Sequence, residues 1–197
     1  GSFKWGEGNF LVRSRQLFAD NGLMAVVVDA PSDRQRAPFL NGFRQTEEHA
    51  ADLKATIAWA RATAKVPVWL VGTSRGTQSA AYAATVLQGA DAPDGVVLTA
   101  TILTDDKQRP VPAMPLEQIK VPVLVVHHQQ DGCSYCAYSE IPNLMAKLTH
   151  TPRSHLITAT GGKNQGDACA AFAYHGFNGL EADVVGQMAD WILAPAR

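Results

Sequence analysis

The chain has 197 residues, 46% of them hydrophobic and 18% charged, enough for one domain with a sizeable core. Seventeen Lys and Arg against eighteen Asp and Glu leave a formal net charge of −1, with no long run of one sign. That balance argues against nucleic acid or a membrane surface as partner, since both call for a concentrated basic face. The longest apolar runs, such as residues 66–71, are of strand length and too short to span a bilayer.

In chain order, Asn9 is placed to cap a first helix in which Phe10, Leu11, Leu17 and Phe18 share a face and Asn21-Gly22 ends the turn. A strand is expected over 23–29. Thr46, followed by Glu47 and Glu48, opens a second helix carrying Leu53 and Ile57 toward a sheet. Further strands are expected at 66–72, 95–103, 121–128 and 155–159, all rich in Val, Ile and Leu. An Ala-rich helix runs from Ser74 to Leu87 and stops at Gly89. The last helix runs from Glu181 to Leu193, with Val184, Val185, Met188, Trp191 and Ile192 on one stripe. Strands alternating with helices predict an α/β fold with a mostly parallel sheet. No linker or repeat divides it, so residues 1–197 read as one domain.

Gly72-Thr73-Ser74-Arg75-Gly76 is a G-x-S-x-G sequence placed between a strand and a helix. Such a serine is held in a strained turn, exposed at the C-terminal edge of the sheet, with glycines on either side giving the backbone room. The helix that starts there aims its positive end at developing negative charge, and the backbone N–H of Arg75 is an expected oxyanion donor.

At this motif the sequence resembles the α/β-hydrolase superfamily, from Asn9 onward. It is similar in particular to small bacterial α/β hydrolases that carry Val-Gly-Thr-Ser-Arg-Gly-Thr at the turn. The likeness continues at Tyr174-His175-Gly176-Phe177 and Gly179-Leu180-Glu181. It implies an α/β-hydrolase fold with helices on both faces, and a nucleophile, an acid and a base in that chain order. Asp131, just past the 121–128 strand, is the expected acid; Asp105 and Asp106, after the preceding strand, are its rivals. Of the histidines downstream, His150 and His155 sit in regular structure, whereas His175 lies in a loop before the last helix and is the expected base.

No cofactor is expected. His127 and His128 are adjacent on a strand and point to opposite faces, so they do not share a metal ion, and the Cys133-x-x-Cys136 spacing lacks a convincing zinc ligand set. Three cysteines allow at most one disulfide. Cys133 lies two residues after the expected acid and Cys169 six before the expected base, so a Cys133–Cys169 bridge would staple those loops; Cys136–Cys169 is the alternative. A bridge implies an oxidising compartment, a periplasm or the cell exterior, and three free thiols would imply the cytoplasm.

The Pro-rich stretch between residues 103 and 121 is too short for a cap domain, so the mouth is expected to be open, bounded by 31–41, 134–138 and 161–167. Arg34 and Arg36 in the first of these are candidates to meet an acidic substrate. The reading is a serine hydrolase acting on a small-molecule ester. Amide, peptide or thioester cleavage and a catalytically silent binding protein are the alternatives. In the superfamily's strand order, 1-2-4-3-5-6-7-8, residues 66–72 form strand 5 and 23–29 strand 4. The central strand 3 and its Gly-rich loop, source of the second oxyanion donor, are then expected upstream of residue 1, with Gly1–Gly8 as the tail.

Overall fold

A computed structural model describes residues 6–194. Its helices are α1 (Phe10–Arg13), α2 (Arg15–Asp20), α3 (Glu47–Ala64), α4 (Arg75–Val86), α5 (Ile141–Ala146) and α6 (Glu181–Leu193). Its strands are β1 (Trp69–Thr73), β2 (Gly95–Thr99), β3 (Val123–His128) and β4 (Ser154–Ala159). The strands pair in parallel in the order β1-β2-β3-β4.

Each inner strand is buried on both faces, and its alternate residues feed two separate cores. Val96, Leu98, Val123 and Val125 pack with Ala80, Ala81 and Ala84 of α4 and with Ile141 and Leu144 of α5. Val97, Leu124 and Val126 pack on the other face with Phe10, Phe18, Val184, Val185 and Met188. A sheet whose strands follow chain order places successive right-handed crossovers on one face. The opposite face is left for α1, α2 and α6. The alanines of α4 let it lie close against the sheet.

Local signals set most element ends. Asn9 Oδ1 accepts the Leu11 N–H at 3.0 Å and Thr46 Oγ1 accepts the His49 N–H at 3.2 Å, as capping chemistry requires. The first helix breaks in two at Ser14, where ψ rotates to 1°. In α3, Ile57 is buried and Leu53 half-buried. The strand expected over 95–103 ends at Thr99, because Ala100 takes a positive φ of 45°. Residues 104–122 form no lid; Val111, Leu116 and Ile119 turn inward against α4.

The run 23–29, expected as a strand, is not one. It is irregular backbone, with Met24 and Val28 each more than half exposed. Strand propensity is realised only against a neighbour's N–H and C=O groups. Among the described residues no strand pairs with this run. Of Gly1–Gly8, the expected tail, residues 1–5 lie outside the described residues. No helix among the described residues is long and apolar enough to cross a membrane.

Candidate active site

Ser74 joins the end of β1 to the start of α4 with φ 51° and ψ −124°. For a residue with a side chain this backbone is strained, and the surroundings hold it there. The Ser74 N–H donates to Thr99 O at 3.0 Å, while its carbonyl accepts from Thr77 N at 2.9 Å and Thr77 Oγ1 at 2.6 Å. Only one of the two motif glycines is sterically required. A Cβ on Gly72 would lie 2.4 Å from Gly76 O, whereas one on Gly76 would meet nothing within 4 Å. The Arg75 N–H heads α4, where the first N–H groups of a helix have no intrahelical acceptor.

The Arg75 side chain leaves that helix end to pair with Asp105, and its guanidinium lies 4.8 Å from the Tyr135 ring centre. Asp105 also accepts from the Lys107 and Gln108 N–H groups. Burial would raise its carboxyl, but these backbone donors and Arg75 together hold it below the ordinary carboxylate range. Asp105 is therefore bound to Arg75 and has no histidine partner among the described residues; Asp106 is exposed.

Asp131 follows β3 by three residues and is buried. Its Oδ1 accepts the Cys133 N–H at 2.9 Å, and its Oδ2 lies 2.9 Å from His175 Nδ1 and 3.7 Å from His127 Nε2. A carboxylate oxygen accepts, so Nδ1 of His175 carries the proton and Nε2 presents a lone pair. That Nε2 is buried and has no hydrogen-bond partner among the described residues. His175 sits in a short 3-10 turn, Tyr174–Gly176, and is only 4% exposed. Gly176 is indispensable to the turn: a Cβ there would lie 2.0 Å from Ala171 O. His150 is instead bonded to Glu117 O, and His155 lies in β4.

Two ties hold the loops of Asp131 and His175. Cys133 is bonded to Cys169, and Cys136 is free and buried. Arg13, at the end of α1, is a clamp that sequence reasoning missed. Its Nε and Nη2 donate to Glu181 Oε1 at 3.0 and 2.9 Å, Nη2 also to Gly176 O at 2.6 Å, and Nη1 to Ala171 O at 3.0 Å and to Gly8 O. Partners up to 168 residues apart left no local signal.

His127 and His128 part company, His127 toward Cys136 O at 2.8 Å and His128 toward Gly161 O at 3.0 Å. The Gln130 N–H donates to His128 Nδ1 at 3.0 Å, so Nε2 carries the proton, and the ring stacks on Tyr174 at 4.3 Å. Burial pushes His127 down from the usual histidine value and keeps it neutral near pH 7. The ligand atoms of Cys133, Cys136 and His175 all lie within 4.8 Å of one another, a grouping the spacing of the C-x-x-C pair alone did not disclose.

Of the loop arginines, Arg34 covers the Phe43 ring at 4.2 Å and pairs with Asp33 at 3.4 Å, while Arg36 is exposed. Arg44, which the sequence did not single out, bonds Ser79 Oγ at 3.2 Å. Burial and the nearby Arg75 charge lower its pKa.

No protein-family model matches this sequence, and no curated protein is detectably similar to it. Solved structures do resemble it. The zinc-bound form of a cold-adapted esterase from an Arctic intertidal metagenomic library superposes with a TM-score of 0.59 at 17% identity, over 91% of this chain and 78% of that one. Its polyethylene-glycol complex gives 0.55 at 15% identity, over 90% and 75%. A protein of unknown function from Agrobacterium tumefaciens, assigned to the α/β hydrolases by inference alone, gives 0.53 at 13% identity, over 94% and 77%. At these identities the likeness concerns architecture, and it agrees with the parallel sheet and its covering helices. The chain has the α/β-hydrolase fold.

Proposed function

We propose that the protein is a serine hydrolase that cleaves carboxylic esters of small molecules through an acyl-enzyme on Ser74. The observation that carries this reading is the buried, unpartnered Nε2 of His175, whose tautomer is set by Asp131. In the proposed cycle Nε2 takes the Ser74 Oγ proton as Oγ attacks the ester carbonyl carbon. Asp131 stabilises the imidazolium that forms. The Arg75 N–H and the positive end of α4 receive the oxyanion. The imidazolium then protonates the departing alkoxide, and a water molecule activated by the same nitrogen hydrolyses the acyl-enzyme. An esterase among the structural neighbours favours an ester over an amide. The Cys133–Cys169 bond favours an oxidising compartment such as a periplasm or the cell exterior.

A fluorophosphonate probe tests the reading directly. The wild-type chain should take one label, mapped by peptide mass to Ser74, and Ser74→Ala should take none while keeping its far-UV circular dichroism. Undiminished labelling of Ser74→Ala would overturn the assignment.

A further inference from the structure

We propose that the reduced chain binds one zinc ion through Cys133, Cys136, Cys169 and His175, and that the metal shuts off the site until the Cys133–Cys169 bond forms. The metal site stands on the side-chain cluster alone. The shut-off rests on the hydrolase reading above.

Two loops supply the ligands in pairs. On the first, the Cys136 N–H donates to Cys133 O at 2.8 Å, a tight turn that keeps the two cysteines of a C-x2-C pair together. On the second, Cys169 precedes and His175 lies within the segment whose Ala171 and Gly176 carbonyls Arg13 clamps. Sulfur atoms of Cys133 and Cys136 and a ring nitrogen of His175 already lie within 4.8 Å of one another, all on buried residues. Cys169, bonded to Cys133, borders the same cluster. In a tetrahedral zinc site with Zn–S near 2.3 Å the ligand atoms are about 3.8 Å apart, so a contraction of about 1 Å brings Cys133, Cys136 and His175 to ligand spacing, and opening the disulfide frees Cys169 as the fourth. Three thiolates and one imidazole form a closed structural set that suits zinc.

The second, independent observation is His175 itself. Its Nε2 is buried without a partner, and its Nδ1–H donates to Asp131 Oδ2 at 2.9 Å. Metal-bound histidines are oriented by the same carboxylate contact on their other nitrogen. A single hydrogen bond thus readies one lone pair for a serine proton or for a metal ion.

The chemistry balances. A dithiol reduces the Cys133–Cys169 bond, each sulfur gaining an electron and a proton, and leaves as its own disulfide. Zinc then displaces three thiol protons and takes the imidazole lone pair, which is then not there to take a proton from Ser74. An oxidising disulfide reverses this, taking two electrons from Cys133 and Cys169 and expelling the metal. Cys136 is then the free thiol of the oxidised form, and burial holds that thiol protonated and unreactive.

The test measures metal before activity. Wild-type protein, either oxidised or reduced with a phosphine and desalted without oxygen, is titrated with zinc against a chromogenic chelator. The reduced chain should bind one equivalent, and the oxidised chain should bind none at this site. Cobalt in place of zinc should give thiolate-to-cobalt charge-transfer and tetrahedral d–d absorption. Cys136→Ala, which retains the disulfide for folding, should after reduction bind zinc more than about 100-fold less tightly, a larger loss than second-shell changes cause. Cys169→Ala should bind zinc with no reductant present, and zinc should raise its melting temperature. Equal binding by oxidised and reduced chains, or by reduced wild type and Cys136→Ala, overturns the proposal. So does a reduced chain whose near-UV circular dichroism is lost and not restored by zinc. Each of these readouts stands even if the protein hydrolyses no ester. With hydrolysis present, zinc should abolish it in the reduced chain, and a chelator should restore it.

Discussion

His175 donates from Nδ1 to Asp131 Oδ2 at 2.9 Å across 44 residues of chain, and the other oxygen of Asp131 accepts the Cys133 N–H. The carboxylate therefore orients the histidine ring and fixes the loop that is disulfide-bonded beside it. Replacing it with an amide keeps the shape and reverses the chemistry. In Asp131→Asn the amide NH2 turned toward the ring would favour the tautomer with the proton on Nε2, the wrong one for a base. Turnover of an activated ester should fall about 10⁴-fold with KM little changed. A loss below tenfold would remove Asp131 from the proposed machinery.

The two motif glycines should separate cleanly. Gly72→Ala puts a Cβ 2.4 Å from Gly76 O, backbone against backbone at the strained turn, so it should yield little folded protein. Gly76→Ala adds a methyl to open space inside α4, where alanine is the better helix former by about 1 kcal/mol, and should hold or raise the melting temperature. Thermal melts of both variants check this. Equal damage by both would mean that the turn is not constrained as described.

Arg13 should behave as a positioning residue for His175. Its fork reaches Glu181, Ala171 O and Gly176 O together, a geometry that an ammonium group cannot reproduce. Arg13→Lys should lose about 1.5–3 kcal/mol of stability, the range for hydrogen bonds to charged groups. It should lower kcat more than it raises KM, because the base is displaced while the binding surface is untouched. Urea unfolding and a KM-against-kcat comparison test both halves. Unchanged kcat in a destabilised protein would leave Arg13 with a purely structural role.

What the sequence disclosed and what it hid follow from the range of the interactions. Asn9, Thr46 and the stripe of α6 act within one or two turns, so their helices could be read directly. The turn at Ser74 is local as well. Residues 23–29 carry the same apolar β-branched signal as β3, yet a strand needs a partner, and that information is not in the run itself. Asp131 was set apart from Asp105 by the family resemblance together with chain order; what the sequence could not show is that Asp105 pairs with Arg75 while Asp131 lies against His175. Arg13 and the grouping of Cys133, Cys136 and His175 stayed invisible, because tertiary folding alone brings their partners together.

Cys133 and Cys169 close a loop across 36 positions. On the chain-entropy model, losing that link costs about 4 kcal/mol through the unfolded state. Cys169→Ser, measured by urea unfolding beside the oxidised wild type without metal, should show most of that loss, with a larger m-value because the unlinked denatured chain is more expanded. Equal midpoints would mean that the bond does not constrain the unfolded chain.

Acid should weaken the fold through two neutral histidines. Burial lowers the pKa of both His49 and His127, with the Arg44 charge adding to the effect at His49 and Asp52 opposing it. A histidine whose folded pKa lies below its unfolded value, about 6.5, binds more protons when unfolded, so stability rises with pH through that window. The contribution is whole above the unfolded value and is lost as pH falls below it. His49 separates this effect from the site, because it packs on Phe43 at 5.3 Å and both of its ring nitrogens are buried without partners among the described residues. His49→Phe should therefore hold or raise stability at pH 7.5 by removing two unsatisfied groups. It should also lose less stability than the wild type when taken to pH 5.5. Urea midpoints at the two pH values decide the matter, and an equal loss in both proteins would clear His49 of any part in the acid sensitivity.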